Sequence, residues 1–383
     1  MIYFDNAATT YPKPKKVIEA VTKTLESFSA NPGRSSYKMA AQADEIVFEA
    51  RQRAADCFGA SYENVIFTKN CTEALNMAIK GMILRANAVA KPHVITTDLE
   101  HNSVLRPLER LSGQGLCEYT VVKVRESDEE TLNAVFDAVK RNTYLIVMTG
   151  ASNAFGTILP VKEVGKRAKQ KGIYFIVDCA QTAGSIPVSL QDYSADILCM
   201  PGHKGLFGPM GTGLMVLRSG VFPETIVEGG TGSYSSLLKV PKINPDRYEA
   251  GTLNLPGIAG LKEGLNFAFS SMDEAYKKEM RLTRKIYEHL LSKGAVIKSP
   301  YPEDFKTMPL ISFTFKGKDS SYLGELMSAE DIAVRTGFHC AYLAHKHHST
   351  TDTGTVRLSL SRMNTEKDVE DFMYRFKKVL NNL

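Results

Sequence analysis

The chain has 383 residues, more than a single hydrophobic core usually serves, so two domains are expected. Its 43% hydrophobic and 23% charged residues are typical of a globular protein, and a net charge of +5 is too small to indicate nucleic-acid binding. No apolar run approaches the roughly 20 residues of a membrane span, and the first residues lack a signal-peptide pattern. The six cysteines form no C-x-x-C pair, which favours reduced thiols in a cytoplasmic enzyme.

Short apolar runs rich in β-branched residues alternate with amphipathic stretches along the first part of the chain. Strands are predicted at 64–67, 94–97, 119–124, 144–149, 173–178, 197–200 and 213–217. Helices are predicted between them at 72–85, 104–111, 131–141 and 161–171. Repeated strand–helix–strand units indicate an α/β fold, with a mainly parallel seven-stranded sheet and helices on both faces.

The pattern changes near residue 261. A long charged helix is predicted at 272–293, followed by short strands near 309–315 and 355–361 and a terminal helix from Thr365. We therefore expect a large α/β domain at 15–260 and a smaller α+β domain at 261–383, which the N-terminal segment 1–14 joins. The Gly-, Ser- and Pro-rich stretch 228–247 is predicted to be a long loop.

Two charged residues follow neighbouring predicted strands. Asp178 ends the strand at 173–178, and Lys204 lies in a Gly/Pro-rich turn directly after the strand at 197–200. Ligands of open α/β sheets bind at the carboxyl ends of the strands. A lysine amine and a carboxylate at this edge are the groups that bind the aldehyde and the ring nitrogen of pyridoxal 5'-phosphate (PLP). The alternative is a surface lysine beside a capping aspartate.

Other polar residues are predicted at the same edge. Asn70, Cys71 and Thr72 lead from a strand into a helix, where backbone amides can bind an anion, although a simple threonine N-cap has the same pattern. His101 and Asn153 also follow predicted strands. A lone histidine is more often structural, but several polar segments at one edge favour a ligand site.

Motifs along essentially the whole chain resemble a known family. They are Asp5-Asn-Ala-Ala-Thr-Thr10, Thr72-Glu-Ala-Leu-Asn76, Glu100-His101, Ser152-Asn153, Val177-Asp178-Cys-Ala-Gln181, Gly202-His203-Lys204 with Gly208-Pro209, Tyr248-Glu-Ala-Gly-Thr252, Val334-Arg-Thr-Gly-Phe-His-Cys-Ala341 and Val356-Arg357-Leu-Ser. Together they resemble the class V aminotransferase-fold PLP enzymes, and among them the cysteine desulfurases, nearer the group II (SUF-type) branch. The resemblance implies the PLP-dependent transferase fold of type I.

The resemblance also implies roles for individual residues. Lys204 would carry the cofactor and move protons, and His101 would stack on the ring and take part in proton transfer. The residues implied to bind PLP are Lys204, Asp178, Gln181, His203, Thr72, Cys71 through its amide, Asn153, His101 and, from a partner subunit, Thr252. Arg357 would bind the substrate carboxylate, with Asn153 near it and Arg335 as a second guanidinium.

Cys340 distinguishes between the reactions of this family. Desulfuration needs a thiolate that attacks the substrate sulfur, whereas a transaminase needs none. A lone cysteine is normally an inert core residue. Cys340, however, follows Gly337 and precedes the polar segment 344–354, so an accessible loop is expected. We therefore interpret Cys340 as the nucleophile.

The sequence departs from the family pattern at three positions. Pro201 replaces the usual serine three residues before the lysine, Asn70-Cys71-Thr72 replaces the usual Gly-Thr-Thr of the phosphate loop, and Phe338 replaces the usual histidine two residues before the nucleophile. The first two remove phosphate contacts, and the third changes the surroundings of Cys340. His345, His347 and His348 lack the ligand spacing of a zinc site, so we predict a solvated basic loop and no metal.

The sequence thus predicts a homodimeric, PLP-dependent cysteine desulfurase that converts L-cysteine to L-alanine and passes sulfur from a Cys340 persulfide to an acceptor protein. The pathway served stays open between iron–sulfur cluster assembly, selenium metabolism and tRNA thiolation. A selenocysteine lyase acting on L-selenocysteine is the alternative. A class V transaminase or β-lyase and a non-catalytic PLP-binding sensor are more distant ones. Neither nucleic acid nor a membrane is expected as a binding partner.

Overall fold

The computed structural model describes residues 1–33, 37–234 and 236–383. The strands are β1 (Ile2–Tyr3), β2 (Val65–Thr68), β3 (His93–Thr97), β4 (Glu118–Val122), β5 (Thr143–Thr149), β6 (Tyr174–Asp178), β7 (Ile197–Pro201), β8 (Gly213–Leu217), β9 (Val296–Ile297), β10 (Leu310–Thr314), β11 (Ile332–Ala333), β12 (Arg335–Gly337) and β13 (Thr355–Ser359). The helices are α1 (Lys15–Ser27), α2 (Lys38–Phe58), α3 (Cys71–Asn87), α4 (Asn102–Gly113), α5 (Asp128–Asp137), α6 (Val161–Gln170), α7 (Leu255–Phe269), α8 (Met272–Ser292), α9 (Ser320–Ala329), α10 (Tyr342–His347) and α11 (Glu366–Asn381).

The central sheet has seven strands in the order β2-β8-β7-β6-β5-β3-β4. All neighbouring pairs are parallel except those of β8, which runs antiparallel to β2 and β7. The predicted mainly parallel sheet is confirmed, and each predicted strand agrees with the structure to within two residues at either end. The carboxyl ends of β2, β3, β5, β6 and β7 therefore lie at one edge.

Helices cover both faces of this sheet because its strands alternate apolar side chains between the faces. In β5, Leu145 and Val147 pack with residues of α3 and α4, whereas Ile146 and Met148 pack with residues of α2, α6 and α7. These side chains are almost completely buried. A parallel sheet buried on both faces produces such continuous apolar strands.

The second unit is built on an antiparallel sheet of four strands in the order β12-β13-β10-β9. The N-terminal strand β1 pairs with β11, and Ile2 and Phe4 lie in the core of this unit together with Phe313 and Phe372. The first residues of the chain thus pack with its last third, and they connect the two units.

The first helices were not predicted from the sequence, and they affect where the units divide. Helices α1 and α2 pack on α7, whose Leu261 and Leu265 are buried in the core of the large unit. The expected boundary between residues 260 and 261 falls inside α7. We therefore propose that the boundary lies at Ser270, between α7 and α8.

Smaller differences have local causes. The predicted helix at 131–141 is α5, which begins at Asp128 because Ser127 and Glu130 form a capping box, and which ends at Asp137. The stretch 228–247 contains no helix or strand among its described residues, in agreement with the predicted loop, and Ser235 of this stretch lies outside the described residues. None of the helices in the described ranges is both long enough and apolar enough to span a bilayer.

A buried ion pair connects α2 with the loop that leads to Thr252. Glu249 accepts hydrogen bonds from both terminal nitrogens of Arg51, at 2.7 and 2.8 Å, and from the backbone N–H of Phe67 at 2.7 Å. The two side chains are only 4% and 6% exposed. Each charge is compensated mainly by the other.

We expect Glu249→Ala to lower the free energy of unfolding by about 3–5 kcal/mol, because it leaves the Arg51 charge buried and unpaired. Urea unfolding followed by circular dichroism measures this loss. Glu49→Ala is the control, since its ion pair with Lys262 is partly exposed and is expected to contribute less than about 1 kcal/mol. Equal losses in the two variants would contradict the prediction.

Candidate active site

A cavity lies at the carboxyl edge of the central sheet. It is lined by Asn70, Cys71, Thr72, Leu75, His101, Ser103, Thr149, Asn153, Asp178, Ala180, Gln181, Pro201, His203 and Lys204. These include every residue predicted to contact PLP except Thr252. Residues distant in sequence therefore lie together at one edge of the sheet, as their positions after the predicted strands indicated.

Lys204 lies three residues beyond the end of β7, on a backbone that the N-terminal segment fixes. The His203 carbonyl accepts hydrogen bonds from the Thr10 N–H at 3.2 Å and from Lys13 Nζ at 2.8 Å. Thr10 Oγ1 donates to the Lys204 carbonyl at 3.1 Å. Burial lowers the pKa of Lys204, although the Asp178 charge opposes this shift. The amine is therefore more easily deprotonated than an exposed lysine.

Asp178 ends β6 and is almost completely buried. Its Oδ1 accepts hydrogen bonds from the Ala180 N–H at 2.9 Å and from Cys71 Sγ at 3.4 Å. Burial, together with the Asp178 charge, raises the pKa of the Cys71 thiol, so that the thiol remains a donor. Within the described part of the chain, no hydrogen bond uses Oδ2 of Asp178, which leaves that oxygen for a ligand.

The amino end of α3 provides two free donors. The Asn70 side chain caps the helix by accepting from the Glu73 N–H, and the Asn70 carbonyl accepts from the Ala74 N–H. The first amides of a helix have no acceptor within it. The N–H groups of Cys71 and Thr72 thus stay available at the wall of the cavity, where they favour an anion.

A short chain of hydrogen bonds orients His101. Its Nδ1 accepts from the Ser103 N–H at 3.0 Å, and Ser103 Oγ lies 2.8 Å from Thr72 Oγ1. Burial lowers the pKa of His101, which favours the neutral ring. Because Nδ1 accepts from a backbone donor, we assign the ring proton to Nε2.

His203 is also neutral. Burial lowers its pKa to about 4, and the nearby charges of Lys204 and Lys13 act in the same direction. Its Nδ1 is buried and has no hydrogen-bond partner among the described residues. This histidine therefore offers a hydrogen bond rather than a positive charge.

Cys340 lies on an exposed turn that Asn102 and Asn153 hold in place. The Cys340 carbonyl accepts from the Asn102 N–H at 2.8 Å, and the preceding carbonyl, of His339, accepts from Asn153 Nδ2 at 2.6 Å. Cys340 does not line the cavity itself. The turn is attached directly beside His101 and Asn153.

Arg357 is buried in β13 and also lies outside the cavity lining. Its Nη1 donates to the Asn153 carbonyl at 2.8 Å, and its Nη2 pairs with Asp5 Oδ1 at 3.0 Å. Its Nε is buried without a partner among the described residues. Arg335 is 48% exposed and reaches the other oxygen of Asp5 at 3.3 Å.

Two predicted residues remain. Gln181 lines the cavity and donates from Nε2 to the Ala7 carbonyl at 3.2 Å. Thr252 lies apart from the cavity, in a groove with Phe48, Tyr62 and Glu249. Within one chain the structure does not bring Thr252 to the other predicted residues, and the resemblance assigned it to a neighbouring subunit.

The prediction of a solvated basic loop at His345, His347 and His348 is wrong. These residues belong to α10 and its C-cap, and His345 is completely buried with its Nδ1 2.8 Å from Thr350 Oγ1. The ring of His348 packs, tilted, on the ring of Phe155 with 3.9 Å between the centroids. The polar composition concealed an anchored helix, because packing against Phe155 cannot be read from local sequence.

Two contributors were missed as site residues. Ser103 fixes His101, and the signal available was its place two residues beyond the histidine, where a helix begins. Asp5 stands in the first recognised motif, yet only the fold brings it to Arg357 and Arg335, more than 300 residues away. Their roles depend on contacts rather than on residue type.

The cavity residues fit PLP. The amine of Lys204, the free oxygen of Asp178 and the amides at the start of α3 offer partners for the aldehyde, the ring nitrogen and the phosphate. The unpartnered Nδ1 of His203 adds a further polar group at this wall. Pro201, at the position of the usual serine, provides neither a hydroxyl nor an N–H donor.

Comparison with known proteins agrees with this chemistry. The family model "Aminotransferase class-V" matches residues 2–372. A probable cysteine desulfurase of Methanothermobacter thermautotrophicus is 32% identical over 376 residues, which cover 96% of this chain and 92% of the relative. The cysteine desulfurase IscS of Methanosarcina thermophila is 32% identical over 378 residues, with 96% and 89% covered.

A solved structure is similar over the whole chain. The apo structure of a cysteine desulfurase from Thermococcus onnurineus NA1 superposes with a TM-score of 0.87 at 30% identity, covering 100% of this chain and 95% of that one. These relatives favour a desulfurase over a selenocysteine lyase, a transaminase or β-lyase, and a non-catalytic sensor. The group II placement stays a prediction. The chain therefore belongs to the class V aminotransferase family and, within it, to the PLP-dependent cysteine desulfurases.

Proposed function

We propose that this protein takes sulfur from L-cysteine, releases L-alanine, and passes the sulfur from a persulfide on Cys340 to an acceptor protein. The observation that carries the proposal is the exposed turn of Cys340, which Asn102 and Asn153 hold beside the cavity. An exposed thiol is accessible both to a substrate in the cavity and to an acceptor from outside.

We propose that the cavity residues hold PLP in the following way. Lys204 binds its aldehyde, Oδ2 of Asp178 pairs with its ring nitrogen, and His101 lies against its ring. Gln181 and Asn153 bind near the ring oxygen, and the phosphate is held by His203, Thr72 and the Cys71 amide. When bound, PLP supplies an electron-withdrawing ring that stabilises negative charge on the substrate carbon.

Two side chains are available for proton movement. Lys204 has a lowered pKa, so its amine can accept a proton from the substrate carbon and return one. His101 presents Nε2–H, while Ser103 fixes the other side of its ring. We propose that Lys204 moves the proton and that His101 assists as a hydrogen-bond donor.

The substrate carboxylate is proposed to bind Arg357. The unpartnered Nε and the remaining hydrogen of Nη2 form one edge of the guanidinium, which suits a bidentate carboxylate. Asp5 holds the guanidinium at Nη2, and the Asn153 carbonyl holds it at Nη1. Arg335 adds a second positive charge near this edge.

Cys340 then performs the sulfur step. Its thiolate attacks the sulfur of the substrate, an S–S bond forms, and the C–S bond breaks with its electron pair going to carbon. The carbon takes up a proton, so that L-cysteine and the Cys340 thiol become L-alanine and the persulfide. Atoms and electrons balance without an external oxidant.

We also propose a homodimer in the cytoplasm. Thr252 lies outside its own cavity, in a groove with Phe48, which is 52% exposed. A second copy covering this groove would bury Phe48 and could bring Thr252 to the partner's phosphate site.

All six cysteines are free, which suits a reducing compartment. We propose iron–sulfur cluster assembly as the pathway served, which relatives named cysteine desulfurase IscS favour.

The first test concerns the cofactor. The purified protein is expected to be yellow with bound PLP, and Lys204→Ala is expected to lose this visible absorption, because the covalent attachment is lost. Absorption spectra before and after PLP addition measure it. Lys15→Ala, a change of an exposed lysine, is the control and should keep the colour. A colourless wild-type protein that does not bind added PLP would contradict the assignment.

The second test concerns Arg357. Arg357→Lys keeps the charge but loses the planar fork, and Arg357→Ala loses both. We expect both to keep the PLP absorption and to raise KM for cysteine, with a loss in kcat/KM of about 2–5 kcal/mol for the alanine variant. Arg335→Ala, at an exposed side chain, should lose less. An unchanged KM in both Arg357 variants would remove this residue from the substrate site.

The third test concerns Cys340. We expect Cys340→Ser to bind PLP and cysteine normally but to make alanine only near background, because a hydroxyl does not attack sulfur under these conditions. Alanine is quantified, and mass spectrometry locates the added sulfur. Cys57→Ser, at a partly exposed cysteine, is the control and should retain full activity. Wild-type rates in Cys340→Ser would show that the thiol is not the nucleophile.

A further inference from the structure

We propose that the contact between His347 and Asp98 fixes the Cys340 segment, residues 338–350, beside the cavity, and that this pair positions the thiol for the sulfur step. The inference rests on the proposed role of Cys340. His347 and Asp98 contact neither the cavity nor the thiol, so both are positioning residues. Neither was predicted from the sequence as part of the site.

The contact joins two parts of the chain that are 249 residues apart. Nδ1 of His347 lies 2.7 Å from Oδ2 of Asp98, and the two side chains are 18% and 14% exposed. A ring N–H that donates to a carboxylate oxygen makes a hydrogen bond of the stronger kind. It links the last residue of α10 to the segment that follows β3.

Asp98 is itself rigidly held, so it can serve as an anchor. Its second oxygen, Oδ1, accepts from the Val124 N–H at 2.9 Å, and its own N–H donates to the Val122 carbonyl at 3.0 Å. It lies three residues before His101, whose ring lines the cavity. The anchor of the Cys340 segment and the wall of the cavity thus belong to one short stretch of chain.

The neighbouring histidines, His345 and His348, pack against an aromatic ring instead of contacting a carboxylate. Burial lowers the pKa of His345 and of His348 to about 4, and both rings lie against Phe155. In the described part of the segment, His347 is the histidine that contacts a carboxylate. The contacts with Phe155 fix how closely α10 packs on the large unit. The hydrogen bond of His347 to Asp98 adds a second contact, which also fixes the orientation of the helix.

The turn of Cys340 needs such support because its backbone is strained. His339 has φ of 50° and Cys340 has φ of 58°, in the left-handed region that non-glycine residues rarely adopt. Hydrogen bonds from Asn102 and Asn153 hold this turn from one side. The pair of His347 and Asp98 holds the end of the following helix, so that the segment is fixed at both ends.

The experiment uses the PLP-loaded protein and the variants Asp98→Asn, His347→Gln and the double variant. Asp98→Asn keeps an oxygen for the Val124 N–H and places an uncharged NH2 group where the second oxygen meets His347. Lys346→Ala is the matched control, since Lys346 is exposed on the same helix. Persulfide formation on Cys340 is followed by rapid quenching after mixing with L-cysteine and by mass spectrometry.

We expect each single variant to slow persulfide formation about tenfold, because a small misplacement of the attacking atom is costly. PLP absorption, PLP affinity and KM for cysteine should stay unchanged. Hydrogen exchange of backbone amides in residues 339–349 should become several-fold faster, while α3 and β6 exchange as before. The double variant should be no slower than either single one, since the two residues act through one contact.

Other results would overturn the inference. Persulfide rates and exchange equal to those of Lys346→Ala would show that the contact positions nothing. An equal loss of PLP affinity and persulfide rate would show that the pair only stabilises the fold. Because Asp98→Asn is the milder change, it decides the matter if His347→Gln is poorly folded. Absence of any persulfide in the wild-type protein would instead reject the role of Cys340, and the exchange measurement would still test the contact.

Discussion

The site depends on one constraint of parallel sheets, which is that the carboxyl ends of their strands meet at a common edge. In this chain the ends of β2, β3, β5, β6 and β7 bring the start of α3, His101, Asn153, Asp178 and Lys204 around one cavity. Each strand is buried on both faces, so the edge is rigid. Burial also changes the pKa values of the side chains at this edge. It lowers the pKa of Lys204 and His101, and it keeps the thiol of Cys71 protonated beside Asp178.

The N-terminal segment adds what the sheet cannot supply, because it joins the two units at the cavity. Asp5 pairs with Arg357 in the smaller unit, whereas Thr10 and Lys13 bind the backbone around Lys204 in the larger one. The guanidinium proposed to bind substrate and the amine proposed to bind cofactor are thereby fixed relative to each other. A movement of either unit would have to break these contacts. The first residues of the chain are thus part of the site, to which they contribute the charged side chains of Asp5 and Lys13.

The candidate site was largely predictable because its residues combine a reactive type with a strand-end position. Lys204, Asp178, His101 and Asn153 each follow an apolar run, and the alternation of such runs with helical patterns indicates which edge they share. The histidines after Cys340 show the limit of such reasoning. His345 and His348 have a polar composition typical of a surface loop, but Phe155 offers them an apolar surface and burial follows. The missed helices α1 and α2 illustrate the same point, since they are fixed by packing on α7.

By itself, the sequence determined the α/β class, the order of the central strands along the chain, the reactive groups at their ends and the resemblance to cysteine desulfurases. These follow from local periodicity and residue type, which act over a few residues. Only the tertiary structure decided that Cys71 donates its thiol hydrogen to Asp178, that Asp5 holds Arg357, and that His347 meets Asp98. Such contacts join residues about 100 to 350 positions apart. Their geometry is set by the packing of whole elements, and no local pattern in the sequence encodes it.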